Sequence, residues 1–406
     1  MAGNLLVAQS GGPTAVINAS LAGVVQTAIE SGRFGRVLGA LDGTLGILRE
    51  TLVDLTQEEP AVWKLVLQTP GAALGTSRLK LTDAHYDRIL AVLKAHDVHY
   101  LCLIGGNDSM DSAYKLSRLA EHSGYELLVM GVPKTVDNDL AYTDHCPGYG
   151  SAARFVAVTV RDTCIDSWSG KLSTPVKIVE IMGRHAGWLT ASAALAREST
   201  PDGAPHLIYV PERPITLEQF LDDVEMVYRQ HGYAVVALSE GVRNPQGELL
   251  GTVMEAVDAF GHRQLGGVSA ILAEKVSERL RLKARFEKPD TMQRSSSALV
   301  SHVDREEAFR VGQEAVRAVL QDISGKMVTL EREEGPAYHC RTGLADLDKV
   351  AGVERLLPDE YLDANGHDVT PAFLDYVRPL IGEPLPPVGF LRRHPVPAGL
   401  PPWTEA

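Results

Sequence analysis

A short, unbroken apolar run that ends in a glycine pair and continues as a helix leaves a chain few ways to fold, and residues 100–119 form such a stretch. Tyr100-Leu101-Cys102-Leu103-Ile104 offers no polar face, so it is expected to be buried on both sides, as strands of parallel sheets are. Gly105-Gly106-Asn107-Asp108-Ser109-Met110 then turns the chain, and Ala113, Leu116 and Leu119 recur at helical spacing. The pattern predicts a strand, a tight turn and a helix N-terminus. A second run, Glu126-Leu127-Leu128-Val129-Met130, leads into Pro133-Lys134-Thr135-Val136-Asp137-Asn138-Asp139-Leu140. Two strand ends of one sheet thus aim two polar loops at one edge. In open α/β sheets the carboxyl edge is where ligands bind.

The glycine pair lets a ligand approach the backbone, and the N–H groups opening the next helix favour an anion such as phosphate. Asp137 and Asp139 are two apart, so on an extended segment they share a face and can divide the work of base and metal binder. Each loop alone also has an ordinary reading. Asn107, Asp108 and Ser109 are good N-cap residues, and an Asx-rich loop is a common turn.

The same alternation runs along the chain. A strand over 4–9 meets the turn Ser10-Gly11-Gly12-Pro13 and a helix over 15–30. A strand over 176–181 enters Met182-Gly183-Arg184-His185-Ala186-Gly187-Trp188 and a helix over 188–197. Strands over 207–210 and 233–239 flank a helix over 217–230, the second strand ending at Glu240-Gly241. Helices over 83–96, 151–167, 266–280 and 304–320 and a strand over 326–330 complete the pattern, and the apolar residues of 151–167 lie on more than one face, as in a helix buried between domains. Gly148-Tyr149-Gly150-Ser151-Ala152-Ala153 matches a dinucleotide-binding pattern but follows Pro147 and not a strand, so no such site is assigned.

A chain of 406 residues exceeds one ordinary core, so two domains are expected. The formal charge of −13, from 39 basic and 52 acidic residues, argues against a general nucleic-acid or anionic-membrane binder. An anionic substrate then needs a local cluster of Arg and Lys. Cys102, Cys146, Cys164 and Cys340 show neither metal-site spacing nor disulfide density, which suits a reducing cytoplasm. No apolar run approaches the ~20 residues of a membrane span, and Leu5-Leu6-Val7 has no basic region before it, so secretion is not expected. Residues 384–402 hold seven of the 23 prolines, which predicts an extended tail on the surface or on a partner.

The segments GGNDS, PKTVDND and MGRHAGW, in that order, resemble the phosphofructokinase family, and within it the branch that uses pyrophosphate in place of ATP. The resemblance runs from Gly11 to about Lys326. It implies an α/β fold of two Rossmann-like three-layer α/β/α domains with the active site in the cleft between them. Residues 1–148 with 293–345 would form a larger, donor-binding domain, 149–292 a smaller sugar-phosphate domain, and 346–406 a C-terminal extension packing on the surface. The implied reaction is reversible phosphoryl transfer from pyrophosphate to the 1-hydroxyl of fructose 6-phosphate, giving fructose 1,6-bisphosphate and phosphate. It would use Mg²⁺, in a cytoplasmic homodimer or homotetramer, with neither nucleic acid nor membrane as partner. The alternatives are an ATP-dependent 6-phosphofructokinase and a non-catalytic regulatory paralogue.

The resemblance also assigns roles. Asp137 is the general base for the sugar hydroxyl, Asp139 raises its pKa, Lys134 offsets the charge of the transferring group, and Thr135 and Val136 join Asp137 in contacting substrate. Met182, Gly183 and Arg184 wrap the acceptor, Glu240 binds a sugar hydroxyl, and Glu212 is a second candidate for that job. Gly11 binds the donor, and Arg78, in GAALGTSR, matches the arginine that bridges the two reacting phosphates. Arg285 and Arg294 grip the 6-phosphate, one of them from a neighbouring subunit, and the basic run Arg279, Arg281, Lys283 and Arg285 is a further candidate clamp.

Two positions depart from the family pattern, Thr291 and Asn107, and two more, Asp108 and Lys134, separate its donor branches. Thr291 stands where many relatives carry a His or an aromatic residue against the sugar, which leaves the acceptor less defined than the donor. Asp108 and Lys134 stand where ATP-using relatives carry glycine. Asp108 puts a side chain and a negative charge where the α-phosphate of ATP must run, and Lys134 supplies positive charge to a shorter donor. Asn107 replaces a metal-associated Asp. Its amide oxygen can still coordinate Mg²⁺ without net charge, so the metal is expected to be held mainly through pyrophosphate, water and Asp108, with Asn107 as a candidate ligand.

Overall fold

The computed structural model describes residues 3–250, 267–335 and 337–400. Two sheets organise them. The larger has strands β1 (Asn4–Gln9), β2 (Val37–Ala40), β3 (Leu52–Asp54), β4 (Val98–Gly105), β5 (Leu128–Pro133), β10 (Lys326–Arg332) and β11 (Cys340–Asp346), in the order β11-β10-β5-β4-β1-β2-β3. Its five inner strands are parallel, and β3 and β11 close the two edges antiparallel. The smaller sheet is all parallel: β6 (Val176–Ile181), β7 (Leu207–Tyr209), β8 (Ala234–Ser239) and β9 (Ala284–Glu287), in the order β7-β8-β6-β9.

The apolar strands read as they do because both faces of each sheet are covered. Successive residues of a strand point to opposite faces. Leu5 and Val7 of β1 join Ile17 and Leu21 of the helix Ile17–Ser31 and Val311 and Ala315 of the helix His302–Val319. Leu6 and Ala8 pack on the other side against Ile89 and Leu93 of the helix Asp83–Ala95 and Met110 and Leu116 of the helix Asn107–His122. This gives the expected three layers. The helix Tyr149–Ser169 is buried on several faces, as predicted, from Tyr149 through Ala153 and Val160 to Cys164.

Some boundaries differ from expectation. The helix expected over 188–197 is one α turn, Trp188–Ala191, continued as the 3₁₀ segment Ser192–Ser199. The helix expected from Gly266 runs over Val268–Arg279, and Gly266 itself lies outside the described residues.

Beyond residue 346 the expectation of a surface extension is corrected. Leu347 and Val350 are buried in the core of the larger sheet, and Leu357, Leu362, Phe373, Tyr376, Val377, Leu380 and Ile381 are buried against the helix Tyr149–Ser169 and the smaller sheet. The apolar residues come from elements only three to seven residues long, such as the helix Pro371–Val377, so no sustained periodicity marks them as core. From about Pro384 to Leu400 the chain has no regular structure and is largely exposed, in line with its proline content, and Pro401 and Pro402 lie outside the described residues.

The helices Ile17–Ser31 and His302–Val319 approach closely through two glycines. A Cβ on Gly23 would lie 2.1 Å from the carbonyl oxygen of Phe309, and one on Gly312 would lie 2.2 Å from that of Ser20. Backbone cannot move aside as a side chain can. Gly23→Ala or Gly312→Ala is therefore expected to cost about 1–3 kcal/mol by overpacking. A thermal or urea unfolding curve matching the wild type would rule out this close approach.

Candidate active site

Strands β4 and β5 end side by side, Gly105 opposite Pro133, and the Lys134 N–H donates to the Gly105 carbonyl at 3.0 Å. The glycine loop and the aspartate loop are thereby locked together. From the smaller sheet, β6 and β8 end at residues 182–187 and 240–241, facing the same cleft of about 910 Å³. Gly11, Arg78, Asp108 and Lys134 line one side of it. Met182, Arg184, Glu240 and Thr291 line the other, and Thr135, Val136, Asp137, Asp139 and Arg294 lie between.

The turn after β1 is built for close approach. Gly11 has φ 75°, and a Cβ on Gly12 would sit 2.6 Å from Nη1 of Arg294 and 3.6 Å from Nη2 of Arg78. Two guanidinium groups thus converge on one glycine, and burial together with Arg78 lowers the pKa of Arg294. Nζ of Lys134, 3% exposed as a residue, donates to the Gly12 carbonyl at 2.7 Å. Burial brings its pKa down to about 8, against the pull of Asp137 and Asp139.

Along 135–140 burial alternates. Thr135, Asp137 and Asp139 face the cleft, while Val136, Asn138 and Leu140 are buried, so the two aspartates do share a face. Burial pushes the Asp137 carboxyl up to about 7, with Asp139 and then Glu240 adding to it. The larger cause is thus desolvation, and the neighbouring aspartate comes second. Burial also raises the pKa of Asp139.

Asn107 stands behind Asp139 and outside the cleft lining, its Nδ2 donating to Oδ2 of Asp139 at 3.1 Å. Oδ1 of Asn107 and Oδ1 of Asp139 are buried without a hydrogen-bond partner among the described residues. Two orphaned oxygens on adjacent side chains are the kind of donor a hard divalent cation takes. Metal-ligand residue types also gather at His145, Glu307 and Cys340. There both His145 nitrogens are already engaged, by Asp144 at 2.8 Å and Glu307 at 2.6 Å.

Some expected residues lie elsewhere. Arg285 is exposed on the edge strand β9, outside the cleft lining of this chain. Gly183, at φ 123°, shapes the 182–187 loop from behind, its carbonyl accepting from the Ser239 hydroxyl at 2.5 Å. Glu212 is corrected from sugar ligand to loop support: Oε1 accepts from the backbone N–H groups of Gly187 at 2.8 Å and Leu357 at 2.9 Å. The basic run is not a clamp within this chain, because Arg279 pairs with Glu218 and Arg281 and Lys283 are exposed.

Other lining residues were missed. Thr76 and Ser77 lie inside the segment already singled out for Arg78, and Gly12 beside Gly11, so their positions were within reach of the sequence. Glu354 was not. It comes from the C-terminal segment and meets Nδ1 of His185 at 3.0 Å across the cleft mouth.

A cleft between two parallel sheets, with a glycine turn, a buried lysine and two aspartates at the strand ends, is the arrangement of a phosphoryl-transfer enzyme. Residues 4–319 match the phosphofructokinase family model. The chain belongs to that family. It is 45% identical over 385 residues, 93% of this chain and 91% of the relative, to the pyrophosphate–fructose 6-phosphate 1-phosphotransferase of Xanthomonas campestris pv. campestris. It is 37% identical over 359 residues, 88% of this chain and 91% of the relative, to the sulfofructose kinase of Alkalicoccus urumqiensis. The crystal structure of a pyrophosphate-dependent phosphofructokinase from Marinobacter aquaeolei superposes with a TM-score of 0.85 at 38% identity, covering 95% of this chain and 94% of the other.

The two shifted groups give a pH dependence with a definite sign. Asp137 can act as a base only when ionised, so turnover should rise with pH through about 7. Lys134 can offset charge only when protonated, so turnover should fall again through about 8. Asp137→Ala is expected to lower turnover about 10²–10⁴-fold in both directions with substrate affinity largely kept. Near-normal turnover in that variant would remove Asp137 from the role of base.

Proposed function

We propose that this protein transfers a phosphoryl group reversibly between pyrophosphate and the 1-hydroxyl of fructose 6-phosphate, yielding fructose 1,6-bisphosphate and phosphate. The observation that carries the donor is the pair Asp108 and Lys134. Asp108, in the first turn of the helix Asn107–His122, is exposed on the donor side of the cleft, where a longer nucleotide would have to pass. Lys134 is a buried ammonium on the Gly12 carbonyl, suited to a compact, highly charged donor. Both oppose an ATP-dependent kinase of the same fold. A regulatory copy would have no need of an intact Lys134, Asp137, Asp139 and Arg184.

Phosphoryl transfer asks for alignment and charge stabilisation more than covalent chemistry. Asp137 takes the proton of the attacking hydroxyl, and in the reverse direction returns it. A carboxyl poised at about 7 serves both directions at neutral pH. Lys134 and Arg78 offset the charge of the transferring group, with Gly11 leaving room for the donor. Met182, Arg184 and Glu240 orient the sugar, Thr291 sits beside it, and Arg294, from the helix Met292–Ser295, grips its 6-phosphate. Asn107 and Asp139 are the residues that would hold Mg²⁺, through their unpartnered oxygens. That ion would supply Lewis-acid neutralisation of the donor oxygens.

The larger sheet carries the donor loops and the smaller one the sugar loops. Arg285, outside the cleft of its own chain, serves the 6-phosphate of a neighbouring subunit in a homodimer or homotetramer. Among the described residues no helix is long and apolar enough to cross a membrane, and all four cysteines are free and buried. Free, buried thiols suit a reducing compartment, and we place the enzyme in the cytoplasm.

The donor assignment is tested by kcat/KM for pyrophosphate and ATP in the wild type, Asp108→Gly, Lys134→Gly and the double variant. Asp108→Gly should raise ATP use while pyrophosphate turnover falls, and Lys134→Gly alone should only damage pyrophosphate turnover. The double variant should prefer ATP most, since neighbours acting on one ligand do not add independently. An unchanged donor ratio in Asp108→Gly would move donor selection elsewhere. For the acceptor, Arg285→Ala should raise the KM for fructose 6-phosphate well above any change for pyrophosphate. An equal effect on both would assign Arg285 to assembly. Preference for a sulfonated hexose in the same assay would transfer the acceptor reading to the substrate class named for the Alkalicoccus relative.

A further inference from the structure

The loop that carries Asp137 and Asp139 has to hold two carboxylates close together on a backbone that is itself unfavourable. Asn138, between them, has φ 57°, a left-handed conformation that non-glycine residues seldom adopt and that asparagine tolerates best. Little of what holds it belongs to the loop. Asn138 is fully buried; its Nδ2 donates to the hydroxyl of Tyr376 at 2.8 Å, and its Oδ1 accepts from the Cys146 N–H at 2.9 Å. The Tyr376 hydroxyl in turn donates to the Asp144 carbonyl at 2.8 Å.

Arg355 grips the same loop from the outside. Its Nη2 donates to the Asn138 carbonyl at 2.9 Å, and its Nη1 to the carbonyls of Thr143 at 2.7 Å and Asp144 at 2.5 Å. Its own N–H donates to the Asp139 carbonyl at 2.7 Å. The guanidinium lies over the ring of Trp188 at 4.4 Å, and the Trp188 indole N–H donates to the Arg355 carbonyl at 3.0 Å. Trp188 directly follows the 182–187 loop. One side chain therefore bonds the base loop and packs on the residue that ends the acceptor loop. Arg332 holds the ring of Tyr376 from its other side, 4.7 Å above the centroid.

Arg355 and Tyr376 lie beyond residue 319, where the family match ends, and neither lines the cleft. We propose that they are positioning residues: the clamp they form on residues 138–144 sets where Asp137 and Asp139 stand relative to the acceptor loop. Backbone carbonyls held by a planar fork are fixed in direction as well as place. A misplacement of about 1 Å at the reacting centre can cost on the order of 10²-fold in rate. The inference rests on Asp137 being the base.

The test uses the full-length enzyme with pyrophosphate and fructose 6-phosphate, comparing Arg355→Ala, Tyr376→Phe, Asp137→Ala and the double variant Asp137→Ala/Arg355→Ala. Arg355→Ala should lower kcat about 10–100-fold with both KM values within about threefold of wild type. Tyr376→Phe, which keeps the ring and removes one hydroxyl, should lower kcat by about tenfold at unchanged far- and near-UV circular dichroism. Because Arg355 acts through the base, the double variant should be no slower than Asp137→Ala alone. Unchanged kcat in a folded Arg355→Ala, or losses that simply multiply in the double variant, would overturn the proposal. Should Arg355→Ala not fold, Tyr376→Phe decides alone, and wild-type turnover there overturns it. Failure of the base assignment is separate, since it would show as turnover retained by Asp137→Ala.

Discussion

The register of β4 against β5 is the constraint on which the site depends. Parallel pairing places Gly105 opposite Pro133, so the glycine turn and the aspartate loop leave the sheet at the same height and one hydrogen bond, Lys134 N–H to the Gly105 carbonyl, joins them. A slip of one residue would turn every side chain of β5 to the other face. The half-exposed Thr135, Asp137 and Asp139, and the buried Asn138 and Leu140, would then change places. Both faces of this sheet are packed, and that packing is what specifies the register.

Burial then sets the chemistry. The chain as a whole is acidic, yet the cleft gathers Lys134, Arg78, Arg184 and Arg294 against Asp137, Asp139 and Glu240. Burial disfavours the charged forms of Asp137 and Lys134, which is why Asp137 rises to about 7 and Lys134 falls to about 8. The two pKa values approach each other, and a base and a charge donor both become available near neutrality. Asn107, in place of a carboxylate, fits this economy. It leaves oxygen for a cation beside Asp139 without adding a further negative charge to a loop that already holds two.

The C-terminal residues change how the cleft is understood. Arg355 and Tyr376 fasten the loop between Asp137 and the helix Tyr149–Ser169, and Glu354 meets His185 on the opposite side of the opening. Glu212 contributes from the smaller sheet, with one carboxylate oxygen serving Gly187 of the acceptor loop and Leu357 of the C-terminal segment. Donor loops, acceptor loop and C-terminal segment are thus tied by hydrogen bonds to shared residues.

Much of this was legible in the residues themselves. Apolar runs closed by Gly-rich turns specify parallel strands whose polar loops share one edge, and GGNDS, PKTVDND and MGRHAGW pointed to loops that all meet at the one cleft. The spacing of Asp137 and Asp139 pointed to one shared face, but the left-handed turn at Asn138 between them is held by Tyr376 and Arg355, far along the chain. What the sequence could not decide involves partners far along the chain. The descent of Arg294 on Gly12 beside Arg78 joins residues more than two hundred positions apart, and the clamp of Arg355 on Asn138 joins elements 217 residues apart. The apolar residues beyond 346 sit in segments too short to show a period, and Arg355 looks like any surface arginine until Trp188 and three backbone carbonyls surround it. Local order follows from the pattern of a few consecutive residues; which distant side chain fills a given gap follows only from packing the whole chain, and here that packing decides what holds the loop of Asp137 and Asp139.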